Sequence, residues 1–483
     1  MKTSKICESL QKLIAGDVLW SDEILKFYSV DSSLYQVFPK VVTFPKTEQE
    51  VISIVKFAKK NNISLTVRGA GTGLVGSALN NGIIIDLKKF DKINLQKNYV
   101  KVGPGVTKGN LDKVLKNKKK FFSPNPSIGP YCSLGGMIGN NAGGSRGLKY
   151  GNMIENIKEI TFVDGNGNKI TLPTDQKKGK EIFNIAKKIQ SDKFPQVSKN
   201  SCGYRLDCVN SLRNTHKILI GSEGTLGIIL SAKLCFHNLP EKRLLFVAEY
   251  DSLGNAAEDC LKIINFKPSA LEFVDRSTLD NIDFKFGKKT ICLLFVEFDS
   301  NLKEIQRQFG MNITGKIVKK IMNEKEIERW WKYRDLALSY SLKSIKKEDR
   351  VPHIIEDATV SLDKLKNLFS LIRKINSEFK TKTVMYGHAG NGNIHVRIIS
   401  NRKKIKNLKK ISDMYFDQII KLGGTITGEH GDGIARSDYI KKQYGYQNYQ
   451  IFKDVKRIFD PNNILNPGKI TSHSNVFKNL EIL

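Results

Sequence analysis

The sequence predicts an α+β protein with more than one domain, and three observations support that class. The chain has 483 residues, of which 40% are hydrophobic and 26% are charged, so it is long enough for two or three domains with separate cores. In the first half, short predicted strands alternate with helices, and glycine-rich loops interrupt them. In the second half a strand, a helix and another strand follow each other, an order typical of an antiparallel sheet covered by helices. We predict domains over residues 1–236 and 237–446, followed by a C-terminal segment over 447–483.

The predicted elements of the first half begin with an amphipathic helix. Ile6, Leu10, Leu13 and Ile14 recur at the spacing of one helical face. Two further helices are predicted at residues 48–61 and 107–116. Strands are predicted at residues 64–68, 82–87, 99–102, 157–164 and 169–172. In the second half, strands are predicted at 244–250 and 290–297, and helices at 255–264 and before Asp460-Pro461.

Composition and charge exclude several classes of protein. The formal charge of +31 would suit a nucleic-acid or acidic membrane surface. The lysines are spread along the whole chain, however, as a compositional bias of the source would produce, so we predict no nucleic-acid partner and leave peripheral membrane contact open. The chain has no long apolar run and no signal-peptide core, which predicts a cytoplasmic protein without a transmembrane segment. Its seven scattered cysteines include no CxxC pair and indicate free thiols.

Three glycine-rich loops predict a ligand that approaches the main chain closely. The first loop, at residues 68–77, has the G-x-G-x-x-G spacing of a dinucleotide fingerprint, but a strand follows it where a Rossmann fold needs a helix. It would therefore bind an anion through exposed backbone N–H groups. Taken alone, it has a flexible turn as its alternative interpretation. Two more glycine clusters at 133–144 and 221–227 favour the binding interpretation.

Two short glycine-flanked motifs in the second half predict a metal site. His388 and His395 lie on either side of a tight turn, so a hairpin could aim both imidazoles at one point. Glu429 would complete a set of two histidines and one carboxylate, which suits zinc first and manganese or iron as alternatives. A histidine that only caps the backbone of a glycine turn is the alternative for either motif by itself.

The order of these motifs resembles a known flavoprotein superfamily. The segments PKVVTFPKT, RGAGTG, PNPSxGxxxSLGGMIGNNAGG and GSEGTLG are similar to the flavin-binding domain of the vanillyl-alcohol-oxidase and p-cresol-methylhydroxylase (PCMH) superfamily. Over nearly the whole chain, the similarity is to the branch of D-lactate dehydrogenases, the glycolate oxidase flavoprotein subunit and D-2-hydroxyglutarate dehydrogenase. It implies a PCMH-type FAD-binding domain, preceded by a helical lead-in, then an α+β antiparallel-sheet substrate (cap) domain with the metal site. The C-terminal helical segment would pack back on the FAD domain.

The resemblance also implies which residues hold FAD. The first loop would bind the pyrophosphate, the second region the isoalloxazine and ribityl groups, and the third the adenine side. These residues are Arg68, Gly69, Ala70, Gly71, Thr72 and Gly73; Pro126, Ser127, Ser133, Gly135, Gly136, Gly139, Asn140 and Ser145; and Gly221, Glu223, Gly224, Gly227 and Ile228. Thr72 stands where some members carry a histidine that attaches the flavin covalently, so we expect dissociable FAD.

The same branch implies the oxidation of a D-2-hydroxyacid to a 2-oxoacid. The two histidines and the glutamate would bind a divalent cation that lowers the pKa of the substrate hydroxyl, and His430 would accept its proton while hydride passes to flavin N5. Arg334 would clamp the substrate carboxylate, unless it is an arginine on a solvated helix face. Arg397 is a candidate partner for a second carboxylate.

We therefore predict an FAD-linked dehydrogenase of D-lactate, glycolate or D-2-hydroxyglutarate. Larger relatives carry a fused iron–sulfur domain, and this chain has no cysteine-rich motif, so electrons would leave to a separate iron–sulfur or other electron-transfer subunit. The alternatives are another oxidoreductase of the flavin superfamily and a non-catalytic flavin-holding subunit of a glycolate oxidase-like complex.

Overall fold

The computed structural model describes residues 2–311, 313–342, 349–352, 354–401, 407–472, 476 and 480. Its strands in chain order are β1 (Asp17–Leu19), β2 (Val41–Phe44), β3 (Leu65–Arg68), β4 (Ile83–Asp86), β5 (Ile93–Leu95), β6 (Val100–Val102), β7 (Lys120–Phe121), β8 (Ile157–Val163), β9 (Lys169–Leu172), β10 (Ile228–Leu234), β11 (His237–Asn238), β12 (Leu244–Tyr250), β13 (Ala270–Asp275), β14 (Cys292–Phe298), β15 (Lys316–Ile321), β16 (Asp349–Arg350), β17 (Lys382–His388) and β18 (Asn393–Asn401).

The α-helices in chain order are α1 (Thr3–Leu13), α2 (Asp22–Tyr28), α3 (Glu48–Asn61), α4 (Lys108–Lys116), α5 (Leu134–Asn140), α6 (Gly147–Tyr150), α7 (Gln176–Ala186), α8 (Leu253–Ile263), α9 (Arg276–Leu279), α10 (Leu302–Gln308), α11 (Glu324–Asp335), α12 (Ala337–Leu342), α13 (Leu365–Phe379), α14 (Leu408–Lys421), α15 (Gly433–Arg436) and α16 (Ile440–Phe459). The chain contains both helices and sheets, and the predicted α+β class is confirmed.

The first sheet is mainly parallel and has the order β1-β2-β4-β3. Strands β2, β4 and β3 run parallel, while β1 pairs antiparallel with β2. Since β3 and β4 point the same way, their C-terminal ends lie side by side, and Arg68 and Asp86 at those ends both line the large cavity of the molecule. Helices α1 and α3 cover this sheet with buried residues such as Leu10 and Ile54.

The second sheet is antiparallel and has the order β5-β6-β10-β8-β9. Its central strand β10 follows the third glycine cluster directly, so the sheet holds that cluster in place. Strands β7 and β11 pair with each other in a separate two-stranded antiparallel sheet.

The third sheet is antiparallel, with seven strands in the order β15-β12-β14-β13-β17-β18-β16. Alternate residues of β12 enter two different cores, since Phe246 packs with the α8 and α13 side chains and Val247 packs with those of α9 and α11. Every residue of β12 is buried, because helices lie on both faces of the sheet. Strands β17 and β18, which carry His388 and His395, belong to this sheet, so the packed helices restrict the positions of both side chains.

The C-terminal segment contacts the glycine loops of the first half. Lys456, on α16, donates hydrogen bonds from Nζ to the carbonyls of Thr225 and Leu465, each at 2.7 Å, and to Asp460 at 2.6 Å. Asn466 donates from Nδ2 to the carbonyls of Ser77 at 2.9 Å and of Glu223 at 2.7 Å. These bonds tie the end of the chain to the first and third glycine clusters. Within the described residues, no helix is both long and apolar enough to cross a membrane.

Lys456→Met should destabilise the protein strongly. The change leaves the buried Asp460 carboxylate and two carbonyl groups without their cationic donor, which typically costs about 3–5 kcal/mol. Arg457→Met is the matched control, because the ion pair of Arg457 with Asp454 is exposed and should contribute only about 0.5 kcal/mol. Urea unfolding of both variants gives the two free energies of unfolding. Equal stability of the two variants would contradict the assigned role.

Candidate active site

A cavity of about 1090 Å³ is lined by residues from both halves of the chain. Residues with predicted cofactor roles that line it are Arg68, Gly69, Ala70, Gly71, Thr72, Gly73, Pro126, Ser127, Ser133, Gly135, Gly136, Gly139, Asn140, Ser145, Glu223, Gly224 and Gly227. Gly221 and Ile228 are not among the lining residues. Gly221 donates its N–H to the carbonyl of Ile138 at 2.9 Å, and Ile228 is a core residue of β10.

The second glycine cluster is partly helical, although the sequence predicts a loop there. Residues Leu134–Asn140 form α5, and Ser133 caps it by accepting a hydrogen bond from Gly136 N at 3.3 Å. The glycines serve close packing, since a Cβ at Gly69 would lie 2.0 Å from Ser133 Oγ and one at Gly135 would lie 2.6 Å from Pro104 Cβ. The first loop and the start of α5 therefore meet without side chains between them.

The hairpin of β17 and β18 brings the two predicted metal-ligating histidines together. Tyr386 pairs with His395 across the hairpin, and His388 and Arg397 lie two residues from this pair on the same face. Glu429 Oε1 lies 2.9 Å from His388 Nε2 and 3.3 Å from His395 Nε2. The three predicted ligands thus converge on one point of the cavity wall.

A buried glutamate that sequence reasoning missed fixes His388 and Arg334. Glu272, on β13, lies 2.8 Å from His388 Nδ1 and accepts a hydrogen bond from Arg334 Nε at 2.7 Å. Burial raises the pKa of Glu272, but the charges of Arg334 and His388 outweigh it and the net pKa is lowered. Arg334 is buried and lines the cavity, with Nη1 3.4 Å from Ser127 Oγ. The alternative of a solvated helix face is therefore wrong.

A second buried carboxylate anchors the helix that carries Arg334. Glu297, on β14, accepts hydrogen bonds from Arg146 at 2.8 and 2.9 Å, from Arg243 at 3.1 Å and from Trp331 Nε1 at 2.7 Å. Trp331 and Arg334 both belong to α11. Because Glu297 holds α11 against the loop of Arg146, it also sets where the Arg334 guanidinium enters the cavity.

His430 lies against two adjacent acids, Glu356 and Asp357, which sequence reasoning did not connect to it. Its Nδ1 is 2.7 Å from Glu356 Oε1, and its backbone N–H donates to Asp357 Oδ2 at 2.8 Å. Burial would lower the pKa of His430, but the charges of Asp357 and Glu356 outweigh it and raise the pKa to about 9. The ring stacks on His395 with centroids 4.9 Å apart.

Lys199 is a further group that sequence reasoning missed. Its buried ammonium lies 2.7 Å from Glu429 Oε2. Burial alone would raise the pKa of Glu429, but the charges of His388 and Lys199 hold it well below its ordinary range. Lys199 comes from the first half of the chain, in a segment without a glycine or histidine motif, and only folding brings it to Glu429.

The arrangement could hold a cation. Asp357, His395, Glu429 and His430 each offer one ligand atom, and these atoms all lie within 4.8 Å of one another. Carboxylates face Nδ1 of both histidines of the hairpin, Glu272 at 2.8 Å from His388 and Asp357 at 3.6 Å from His395, which leaves each Nε2 toward Glu429. This is the outer arrangement that orients metal-binding imidazoles.

Family models match most of the chain. Residues 39–172 match an FAD binding domain, and residues 239–470 match the C-terminal domain of FAD linked oxidases. The glycolate oxidase subunit GlcD of Bacillus subtilis is 30% identical over 466 residues, which cover 92% of this chain and 91% of GlcD. The chain belongs to the FAD-linked oxidase family.

Other relatives carry related names. A D-lactate dehydrogenase of Anaerostipes hadrus is 29% identical and covers 97% of each chain. A D-2-hydroxyglutarate dehydrogenase of Haemophilus influenzae is 30% identical over 92% of this chain but only 49% of its own, so this chain spans about half of that relative's length. Among solved structures, an alkyldihydroxyacetonephosphate synthase has a TM-score of 0.69 at 16% identity over 97% of this chain and 85% of its own, which shows a shared fold.

The cavity of this FAD-linked oxidase fits the cofactor of its family. Its volume lies at the upper end of the usual range for ligand pockets, about 1,000 Å³, as a dinucleotide requires. Main chain from the first loop and α5 forms part of its wall, where no side chain blocks access to backbone donors. Thr72 and Cys132 both line the cavity, and the Thr72 hydroxyl lies 3.5 Å from Cys132 Sγ.

Glu223 links the FAD side of this cavity to the histidine motif. Its carboxylate accepts hydrogen bonds from the N–H groups of Asp432 at 2.6 Å and Gly433 at 2.9 Å. Burial, together with the charge of Asp432, raises the pKa of Glu223. The folded state therefore binds a proton at this pair more tightly than the unfolded chain does.

Glu223→Gln should flatten the dependence of stability on pH. The raised pKa of Glu223 means that stability is greatest below the unfolded pKa of about 4.3 and falls as pH rises toward the folded value. Wild-type protein saturated with FAD should lose unfolding free energy between about pH 5 and pH 8, and the variant should lose less. Glu181→Gln, at an exposed ion pair, is the control and should keep the wild-type slope. If the unfolding free energy of Glu223→Gln falls with pH as steeply as that of the wild type, Glu223 is not the source of the pH dependence.

Proposed function

We propose that the protein oxidises a D-2-hydroxyacid of the D-lactate, glycolate or D-2-hydroxyglutarate class to its 2-oxoacid. The observation that carries this proposal is the convergence of Arg334, His388, His395, Glu429 and His430 on the cavity that fits FAD. Bound FAD supplies the acceptor for the hydride that leaves the substrate Cα. The names of the relatives support the same reaction class.

Arg334 is the proposed clamp for the substrate carboxylate. Its Nε and Nη2 both contact the Glu272 carboxylate, whereas the contacts of Nη1 with described residues are a 3.4 Å contact with Ser127 Oγ and a 3.5 Å ion pair with Asp335. A planar guanidinium that is fixed on one side can bind a carboxylate oxygen with its remaining nitrogen at little cost in side-chain entropy. The clamp would thus orient the substrate Cα as well as bind the acid.

His430 is the proposed acceptor of the hydroxyl proton. A pKa of about 9 keeps the imidazole protonated at neutral pH, and a base must be neutral. A divalent cation at the neighbouring Glu429 would add positive charge to the cluster and would lower the pKa of His430, so that the imidazole could accept a proton. Glu356 then stabilises the imidazolium that forms, through its 2.7 Å contact with Nδ1.

A divalent metal, with zinc first and manganese or iron as alternatives, is proposed for His388, His395 and Glu429. Two imidazole nitrogens and a carboxylate oxygen form a donor set that suits these ions. Such an ion would polarise the substrate hydroxyl and lower its pKa. Lys199, which holds Oε2, would leave Oε1 of Glu429 as the ligand atom.

The electrons are proposed to leave to a separate iron–sulfur or other electron-transfer subunit. In the D-2-hydroxyglutarate dehydrogenases among the relatives, the segment that this chain matches is about half of the protein. A partner subunit would accept the electrons from the reduced flavin.

His430→Ala and Arg334→Met should fail in different ways. Loss of the base should lower kcat by roughly 10²–10⁴-fold with little change in KM. Loss of the clamp should raise KM strongly and also lower kcat, since the substrate loses its orientation. Steady-state assays with D-lactate, glycolate and D-2-hydroxyglutarate and a dye acceptor give kcat and KM, and stopped-flow measurements follow reduction of the flavin directly. Wild-type rates in His430→Ala would remove the base assignment, and no reduction of wild-type flavin by any of the three would refute the function.

His388→Ala should lose about one bound metal ion per chain. The change removes a ligand from the proposed site, whereas the control His237→Ala removes a half-buried histidine outside the cavity. Lys199→Met should keep the ion but lower the affinity for it, because the Glu429 carboxylate loses the ammonium group that holds it in place. Metal analysis by mass spectrometry and competition with a chelator measure both effects. The proposal fails if His388→Ala and His237→Ala retain equal metal.

A further inference from the structure

A short turn with two exposed apolar side chains lies at the rim of the cavity. Residues Gly129–Tyr131 form one 3₁₀ turn. Ile128, directly before it, lines the cavity and is 46% exposed. Tyr131 is 74% exposed and is not among the lining residues, so its ring faces the surrounding solvent. Tyrosine is enriched in surfaces that bind other proteins, and its exposure beside a cofactor cavity indicates such a contact.

Backbone hydrogen bonds fix the shape of this turn. Gly129 donates its N–H to the carbonyl of Pro126 at 2.7 Å, and Cys132 donates to the carbonyl of Gly129 at 2.9 Å. Pro130, inside the turn, restricts the backbone further through its ring. Because the turn is already ordered, little conformational entropy is lost when a partner binds it.

The turn borders the cavity directly. Ser127 and Cys132, on either side of it, both line the cavity. Ser127 Oγ lies 3.4 Å from Arg334 Nη1, and Cys132 Sγ lies 3.5 Å from the Thr72 hydroxyl. Electron transfer weakens steeply with distance, so an electron acceptor has to dock where the wall over the cofactor is thin. At this turn, one segment of chain both lines the cavity and reaches the outer surface.

The chain beside the turn carries an excess of positive charge. Residues 88–120 include eleven lysines and two aspartates, which is a formal charge of +9 and nearly a third of the +31 of the whole chain. This segment reaches the turn, since Lys108 donates its backbone N–H to the carbonyl of Cys132 at 2.9 Å. A Cβ at Gly109 would lie 2.8 Å from the carbonyl oxygen of Pro130. Part of the excess charge therefore lies next to the exposed side chains.

Helix α4 places lysines of this segment near the turn. Lys113 and Lys116 follow Gly109 by four and seven residues, so all three lie on one face of the helix. Both lysines are exposed. Asp112 does not cancel their charge, because it is paired at 2.5 Å with the buried Lys108. An exposed aromatic ring with lysines beside it is complementary to a partner that carries carboxylates.

We infer that this turn and the adjacent face of α4 form a docking surface for an acidic one-electron carrier protein, which reoxidises the flavin. The docking surface consists of Ile128, Tyr131, Lys113 and Lys116. This inference rests on the proposed function, because it gives the place where electrons pass to the separate protein proposed there. Two electrons leave the reduced FAD, one to each of two carrier molecules, and two protons pass to water. The lysines would speed the encounter, and the apolar side chains would hold the carrier over the thin wall.

An anionic membrane fits this surface less well. The exposed residues of α4 are Asn110, Lys113 and Lys116, so the helix has no exposed apolar face that could enter a lipid layer. Two apolar side chains at a three-residue turn offer little area to lipid, whereas a protein can pack around them and exclude water. The surface therefore suits a protein partner.

Binding of two carrier proteins of opposite charge to the oxidised, FAD-loaded protein tests the docking surface. The probes are plant plastocyanin, an acidic copper protein, and mitochondrial cytochrome c, a basic haem protein. Calorimetry at low ionic strength should show roughly 10-fold tighter binding of plastocyanin than of cytochrome c. Tyr131→Ser and Lys113→Glu should each raise the Kd for plastocyanin by roughly 10-fold. Both side chains are exposed, so neither change should disturb folding, and the flavin content of each variant checks this.

Tyr446→Ser and Lys441→Glu are the matched controls. Tyr446 is 63% exposed on α16, and Lys441 Nζ lies 5.3 Å from the centre of its ring, so this pair also combines an aromatic ring with a lysine. No residue of α16, all of which the structure describes, lines the cavity. Both controls should keep the wild-type Kd. The inference is overturned if plastocyanin does not bind, if cytochrome c binds as tightly, or if the docking-surface variants bind plastocyanin no more weakly than the controls.

Reduction of the flavin by light separates this inference from the proposed function, since it needs no substrate. Stopped-flow mixing of the photoreduced protein with plastocyanin should give a second-order reoxidation rate that falls roughly 10-fold in Tyr131→Ser and stays unchanged in Tyr446→Ser. If this result holds while no 2-hydroxyacid reduces the flavin, the docking surface is kept and the function is rejected. If 2-hydroxyacids reduce the flavin but plastocyanin binding does not depend on Tyr131, the function is kept and the docking surface is rejected.

Vesicles of phosphatidylglycerol test the lipid alternative. Wild type and Tyr131→Ser should sediment with the vesicles to the same extent, because the docking surface is assigned to a protein. Loss of vesicle binding in Tyr131→Ser, with plastocyanin binding unchanged, would overturn the inference and make the surface a membrane contact.

Discussion

Compensation of buried charge governs how the two halves of this protein meet. Glu272, Glu356, Asp357 and Glu429 are all nearly removed from solvent, and a buried carboxylate is tolerated only when cations and N–H groups surround it. Their partners come from distant segments, among them Lys199 from the first half of the chain. The pairing therefore holds the seven-stranded third sheet against the first half of the chain and, at the same time, directs the histidines into the cavity.

The same network orders the loop that carries Glu429 and His430. Asp357 Oδ2 accepts hydrogen bonds from Thr427 Oγ1 at 2.6 Å and from the N–H groups of Glu429 at 3.0 Å and His430 at 2.8 Å. One carboxylate thus shapes the loop that carries both a proposed metal ligand and the proposed base. Preorganised groups of this kind lose little entropy when a substrate binds.

Close approach of main chain is the second requirement of the cavity. A Cβ at Gly143 would lie 2.4 Å from Glu429 Oε2, and one at Gly433, which has a φ of +50°, would lie 2.2 Å from the carbonyl oxygen of Val75. Side chains at these positions would push the histidine motif away from the flavin loops. The glycines are thus part of the contact between the halves, in addition to any contact with the cofactor.

The sequence by itself determined the local parts of this protein. Glycine clusters, histidine spacing and apolar periodicity predicted strands such as Leu244–Tyr250, the helix Glu48–Asn61, the family and FAD, because each signal lies within a short stretch of chain. Only the tertiary structure revealed that Glu272 contacts His388 and that Lys199 contacts Glu429. It also turned part of the second glycine loop into α5 and left Gly221 and Ile228 outside the cavity. A buried ion pair leaves no periodic pattern in the sequence. Its two residues are far apart along the chain, and they come into contact only where the sheets and loops pack together.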